Sequence, residues 1–108
     1  YDIEQVLNNH ASITESAVIG IRVDGAGGED EVKAYIVTDR GNEIDNIALL
    51  DYCVENMPRF AVPRYIEAVE AIPKSATGKI QKYLLRRAGV TNSTWDRESV
   101  SYKISRRV

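Results

Sequence analysis

The stretch of this chain richest in chemical potential is Pro73-Lys74-Ser75-Ala76-Thr77-Gly78-Lys79-Ile80. A glycine followed by a lysine where a loop runs into a helix is an arrangement that suits phosphate. The phosphate-binding P-loop is the first pattern to test. It needs a second glycine, four residues intervening, and a Ser or Thr directly after the lysine. Pro73 stands where that glycine belongs and Ile80 follows Lys79, so the P-loop pattern fails at both ends. A bare Gly-Lys pair is otherwise a solvated lysine in a turn, and the choice rests on what surrounds it.

Other groups with chemical potential are few. Cys53 lies near the apolar side of a helical stretch and reads as core. His10 falls at a helix end. Glu4 reads as a first-turn helix charge rather than an acid catalyst. Lys82, Arg86 and Arg87 group on the last helix and read as a solvated face.

The elements that must position these residues can be read from periodicity. Ile3, Val6, Leu7 and His10 recur at helical spacing, so residues 2 to about 10 form a short amphipathic helix with Asp2 as its N-cap. Ala17–Val23 is β-branched and strand-like, and Val32–Thr38 follows as a second strand. The glycine-rich turn Asp24–Gly28 between them predicts antiparallel pairing. Asp39-Arg40-Gly41-Asn42 is a turn, and Ile47, Leu50, Val54 and Met57 mark the stripe of a second helix that stops before Pro58. Tyr65–Val69 alternates as a third strand; Ile80, Leu84, Leu85 and Ala88 predict a last helix closed by Gly89. The expected fold is a small α+β domain, order α-β-β-α-β-α, with a three-stranded sheet and helices on one or both faces. Residues 1–90 form that domain, and 91–108, holding the single tryptophan Trp95, form a loosely packed tail that docks on a partner domain.

Composition removes several function classes. A chain of 108 residues fits one domain, and its 44% apolar content suits a packed core rather than disorder. A net charge of -2 from 14 basic and 16 acidic residues argues against a general nucleic-acid binder. One cysteine and one histidine exclude an internal disulfide and a Cys/His zinc cluster, and point to a reducing, cytoplasmic setting. No apolar run is long enough to span a bilayer, and no signal peptide is evident. Tyr1–Leu7 already reads as the first turn of a helix with no initiator methionine, which implies a fragment of a longer polypeptide.

With the elements placed, the chain resembles the C-terminal domain of the adenylate-forming superfamily: acyl-CoA synthetases, luciferases and the adenylation domains of peptide synthetases. The family's last motif is Pro-[Lys/Arg]-[Ser/Thr]-x-x-Gly-Lys-[Ile/Val]-x-[Arg/Lys], with Leu-Arg near the helix end. Pro73, Lys74, Ser75, Gly78, Lys79, Ile80 and Lys82 match it, and Leu85-Arg86 follows. Asp2-Ile3-Glu4 is similar to the family's Glu-Ile-Glu segment, with Asp2 replacing the first Glu. Met57-Pro58-Arg59-Phe60-Ala61-Val62-Pro63 resembles its Leu-Pro-x-[Tyr/Phe]-x-x-Pro element. Locally, through Trp95-Asp96-Arg97-Glu98, the chain is similar to crotonobetaine/carnitine-CoA ligases.

The resemblance implies a mobile lid of an ATP-dependent acyl-CoA ligase. Carboxylate and ATP give acyl-adenylate and pyrophosphate; CoA then displaces AMP to form the thioester. Lys79 would bridge the carboxylate and the ATP phosphates, with Gly78 and Ser75 shaping its loop. The physics suits an ammonium, because two anions must approach and charge builds on the leaving oxygen. Phe60 and Arg64 fall where relatives place an aromatic and a basic residue near the CoA nucleotide. A core phenylalanine and a solvated arginine remain the other reading. The Asp24–Gly28 turn would face CoA, or simply close a hairpin. The implied large domain lies upstream, with the hinge just before Tyr1, the acyl and adenine pockets and a Mg2+ site, so this piece alone should be inactive. The same motif implies modification of Lys79 by lysine acetyltransferases. The alternatives are the lid of a peptide-synthetase adenylation domain and a non-catalytic interaction module.

Overall fold

The computed structural model describes residues 2–22, 30–39 and 43–100. Helix α1 (Ile3–Asn8) is capped by Asp2, whose Oδ1 accepts the Gln5 N–H at 3.0 Å. Strands β1 (Ile13–Arg22) and β2 (Asp30–Thr38) pair antiparallel, as their short connection predicts. The Asp24–Gly28 turn, and residues 40–42 of the following turn, lie outside the described residues. Helix α2 (Asn46–Asn56) starts at Asp45, whose carboxylate accepts the Ile47 N–H at 2.9 Å, and ends before Pro58. It carries the chain across to β3 (Tyr65–Ala68), which lies parallel to β2.

Strand β1 begins at Ile13, four residues ahead of the expected Ala17, and two expectations about the helices also change. The α2 stripe centres on Leu49, Leu50 and Cys53, all fully buried, whereas Ile47 stays 39% exposed at the helix entrance. Helix α3 (Lys82–Ala88) begins two residues after Ile80, because Ile80 is held in an extended bridge to Lys74. Leu85 is its buried residue; Ala88 is exposed, and Gly89 closes the helix at φ +62°.

The sheet has four strands rather than three. Trp95–Asp96 forms β4 and pairs antiparallel with β3, giving the order β1-β2-β3-β4. Two residues are too few for alternation to reveal a strand, and the pairing is set by Tyr65 opposite Asp96 and Ile66 opposite Trp95. The segment from 91 to 100 is therefore built onto the sheet rather than loosely packed. Trp95 lies against the core, and the Arg97 guanidinium donates to the Val62 and Pro63 carbonyls at 3.1 and 3.2 Å. Residues 101–108 lie outside the described residues.

Helices cover both faces, as the alternation along β2 requires. Ala34 and Ile36 join Leu7, Leu50 and Cys53 under α1 and α2. Tyr35 joins Ala17, Ile19, Ile72 and Leu85 under α3. On that second face Lys33 is fully buried. Its ammonium donates to Glu67 Oε1 at 2.8 Å, the Gly89 carbonyl at 2.7 Å and Thr94 Oγ1 at 2.9 Å, and lies 4.3 Å from the centre of the Tyr35 ring. Glu67 also accepts from Thr91. Burial would raise the Glu67 carboxyl, but the Lys33 and threonine hydrogen bonds outweigh it and hold the group below its ordinary value.

Candidate functional site

The motif folds into a tight hairpin. Ser75 and Lys79 face each other across the three-residue loop Ala76-Thr77-Gly78. The Ser75 N–H donates to the Lys79 carbonyl at 2.8 Å and the Gly78 N–H to the Ser75 carbonyl at 2.9 Å. Gly78 sits at φ +83°, the left-handed position that such a loop needs and that glycine occupies without strain. A side chain there would meet nothing within 4 Å, so the conformation, not crowding, selects the glycine. Ser75 Oγ accepts the Lys79 N–H at 3.3 Å and shares a hydrogen bond with Thr77 Oγ1 at 3.0 Å, so its hydroxyl closes the loop from within. The Gln81 N–H to the Pro73 carbonyl, 2.9 Å, ties the base.

Three lysines lie in this segment and their surroundings differ. Lys74 forms an ion pair with Glu15 of β1. Lys82 pairs with Glu4 Oε2 at 2.8 Å, and the same oxygen accepts the Val18 N–H at 2.8 Å. Lys79, exposed beside the tip of the loop, forms no ion pair among the described residues. Two lysines are thus used to hold the hairpin to the body of the domain, and the one between them projects a full charge toward solvent. Such a group can approach an anion without first breaking a salt bridge.

Phe60 and Arg64 belong to the α2–β3 connection, where Pro58 starts a single 3-10 turn at Arg59–Ala61. Phe60 is 78% exposed, so the core reading of this residue fails, and its ring is open to stacking. Arg64 is not a solvated arginine either. Its guanidinium donates to both Asp96 oxygens at 3.2 and 3.3 Å, lies 3.4 Å from Glu98 and 3.7 Å from Glu31, and stacks 4.8 Å from the Tyr65 ring centre. Burial alone would raise the Asp96 carboxyl; hydrogen bonds from Arg64 and the Glu98 N–H hold it below the usual range. Ala61 and Val62 pack into the α1/α2 core, whereas Ile72 and Ile80 beside the lysine hairpin pack into the α3 core. Phe60 and Lys79 are thus flanked by residues of different cores.

A family model described as the AMP-binding enzyme C-terminal domain matches residues 2–79, ending on Lys79. The chain belongs to this family. The crotonobetaine/carnitine–CoA ligase of Salmonella arizonae is 33% identical over 85 residues, covering 79% of this chain and 16% of that ligase. A mitochondrial medium-chain acyl-CoA ligase of Danio rerio is 39% identical over 85 residues, covering 79% of this chain and 14% of its own. Among solved structures, a fatty acyl CoA synthetase of Mycobacterium tuberculosis superposes with a TM-score of 0.71 at 32% identity over 81% of this chain and 17% of that one. The chain spans about a sixth of the length of these relatives.

In this AMP-binding C-terminal domain Cys53 lies in the core and His10 follows the end of α1. Burial pushes the Cys53 thiol up to about 12, so it stays protonated and unreactive. The His10 ring meets Tyr52 edge-on at 4.8 Å, and its Nδ1 accepts the Ser12 N–H at 3.0 Å. No helix among the described residues is long and apolar enough to cross a membrane. Sequence reasoning missed the tethering of Lys74 and Lys82, since their partners Glu15 and Glu4 are remote in the chain. It also passed over Lys33, a charge in an otherwise apolar strand, which was the one visible signal of the buried network.

Proposed function

We propose that this chain is the mobile C-terminal domain of an ATP-dependent acyl-CoA ligase, and that Lys79 is its adenylation lysine. The observation that carries this reading is the contrast within one hairpin. Lys74 and Lys82 are paired, whereas Lys79 is exposed with no ion pair among the described residues. In this reading a carboxylate oxygen attacks the α-phosphorus of ATP and pyrophosphate leaves. The Lys79 ammonium stabilises both the approaching anions and the charge on the leaving oxygen. The CoA thiol sulfur then attacks the acyl carbon of the adenylate, releasing AMP and a proton. Gly78 and Ser75 serve by holding the loop that carries Lys79. A rotation of the domain between the two steps would remove Lys79 and present another face.

On that other face, Phe60 supplies an exposed ring for the adenine of CoA, and its exposure supports this assignment. Arg64 would reach a CoA phosphate only by exchanging Asp96 for it, so its contribution is smaller. The relatives act on different acyl groups by name, and acyl choice belongs to the upstream large domain. The Mg2+ that accompanies ATP is also assigned there. A cytoplasmic setting suits the single buried thiol. The exposure of Lys79 also leaves it open to a lysine acetyltransferase, and acetylation would remove the charge that adenylation uses.

The test is Lys79→Ala in the ligase that carries this domain with its large domain. ATP–pyrophosphate exchange should fall at least about a hundredfold, the scale for one preorganised charge at a reacting centre. Thioester formation from supplied acyl-adenylate should stay within about threefold. Lys79→Arg should also fail in exchange, because a planar guanidinium replaces a compact ammonium poorly between two anions. Exchange near the wild-type rate in Lys79→Ala would leave Lys79 a surface residue.

A further inference from the structure

We infer that the Glu4–Lys82 ion pair is a positioning latch for Lys79, fixing the hairpin to the α1–β1 body at the start of α3. The inference rests on the reading of Lys79 as the adenylation lysine and adds two residues to that site.

The geometry is specific. One oxygen, Glu4 Oε2, accepts both the backbone N–H of Val18 and the ammonium of Lys82, each at 2.8 Å. Glu4 is thereby anchored to β1 and cannot swing with Lys82. Helix α1, strand β1 and helix α3 meet at this one carboxylate, on a cleft lined by Asp2, Ile3, Glu4, Val18 and Lys82. Lys82 follows Lys79 by three residues, a reach of about 10 Å of extended chain. Between them, Ile80 is bridged to Lys74 and the Gln81 N–H is bonded to the Pro73 carbonyl. A displacement of the first α3 residue therefore passes into the hairpin rather than dissipating in slack chain. On the opposite arm, the Lys74–Glu15 pair supplies the second point of attachment.

Stability is a poor explanation for this contact. Both side chains are about one-third exposed, 34% for Lys82 and 29% for Glu4. Ion pairs with that much solvent access contribute about 0–1 kcal/mol. Placement is a better one, because a misplacement of about 1 Å at a reacting group can cost about a hundredfold in rate.

The experiment uses the ligase with its large domain and measures three things in each variant: ATP–pyrophosphate exchange, thioester formation from supplied adenylate, and the unfolding midpoint. Lys82→Met keeps the aliphatic stem and the Glu4–Val18 bond but cuts the tether. It should lower kcat of exchange about 10- to 100-fold, with KM for ATP, thioester formation and the midpoint nearly unchanged. Lys82→Arg should recover exchange to within about threefold, since a guanidinium can reach the same carboxylate. Glu4→Leu, which removes the acceptor of the Lys82 ammonium, should fail in the same step as Lys82→Met. Normal exchange in Lys82→Met, alongside loss in Lys79→Ala, would overturn the latch while leaving the Lys79 reading intact. Normal exchange in Lys79→Ala would instead overturn that reading. Loss of both half-reactions with a lowered midpoint would make the pair structural only. A silent Glu4→Leu beside an impaired Lys82→Met would mean that Lys82 touches substrate itself.

Discussion

Removing the Glu67 carboxylate should destabilise this domain more than almost any other single charge deletion, and the structure supplies the magnitude. Lys33 is fully buried, and all three ammonium protons have acceptors: Glu67, the Gly89 carbonyl and Thr94. Glu67→Ala leaves two neutral acceptors and no counter-charge. Breaking a buried pair from one side costs about 3–5 kcal/mol. The 13% exposure of the Glu67 side chain admits some water to the vacated space and favours the lower end, about 3 kcal/mol. Against a total of roughly 5–15 kcal/mol for a domain of this size, that is a large share. It corresponds to a fall in Tm of at least about 10 °C. Lys33→Met should cost less, about 1–3 kcal/mol, because Glu67 keeps its threonine hydroxyls. The double variant Lys33→Met/Glu67→Leu should regain most of the loss, since well-packed apolar replacements of a buried pair are often neutral. Urea unfolding of the 108-residue chain measures all three. The folded-state carboxyl of Glu67 lies below its ordinary 4.5, so its contribution is complete above that pH and is lost as pH falls through the folded value. The acid limb of stability should therefore flatten in Glu67→Gln. A Glu67→Ala cost under about 1 kcal/mol, or no coupling in the double variant, would refute the reasoning.

Two further outcomes follow from the same contacts. On the proposed function, Phe60→Ala in the full-length protein should raise the apparent KM for CoA several-fold without changing ATP–pyrophosphate exchange or the unfolding midpoint, because the ring is 78% exposed and holds no part of the core; an unchanged KM would remove Phe60 from the proposed CoA site. Ending the chain after Val90 deletes Thr94, Trp95 and Arg97, uncovering the β3 edge and taking one acceptor from buried Lys33, so calorimetry should show a Tm lower by more than about 10 °C or no cooperative transition; an unchanged Tm would show that residues 91–108 are dispensable for folding.

How much was legible in the sequence varied with the range of the interactions involved. Asp2 announced a cap, Pro58 a stop and Gly89 a helix end, and each acts within a few residues of itself. Ile80 misled because its helical spacing with Leu84 competes with a bridge to Lys74 that closes only when the loop turns at Gly78. Ile47 and Leu49 lie two residues apart, on nearly opposite sides of α2, and which one points inward depends on how the helix rolls against β2 and α1. Phe60 could be core or surface by type alone; the 3-10 turn after Pro58 directs Ala61 and Val62 inward and leaves Phe60 out.

By itself the sequence determined the order of helices and strands, the antiparallel first hairpin, and the motif that puts Lys79 in a loop ahead of the last helix. These are set by local sterics, by period and by residue type, which need no knowledge of distant partners. Only the tertiary structure decided that Trp95–Asp96 adds a strand, that Lys33 is buried beside Glu67 and Thr94, that Asp96 occupies Arg64, and that Glu4 and Glu15 occupy the lysines on either side of Lys79. Each of these is an electrostatic or hydrogen-bonded meeting of residues tens of positions apart. The free energy of such a contact depends on burial and distance, and neither exists until the chain has folded.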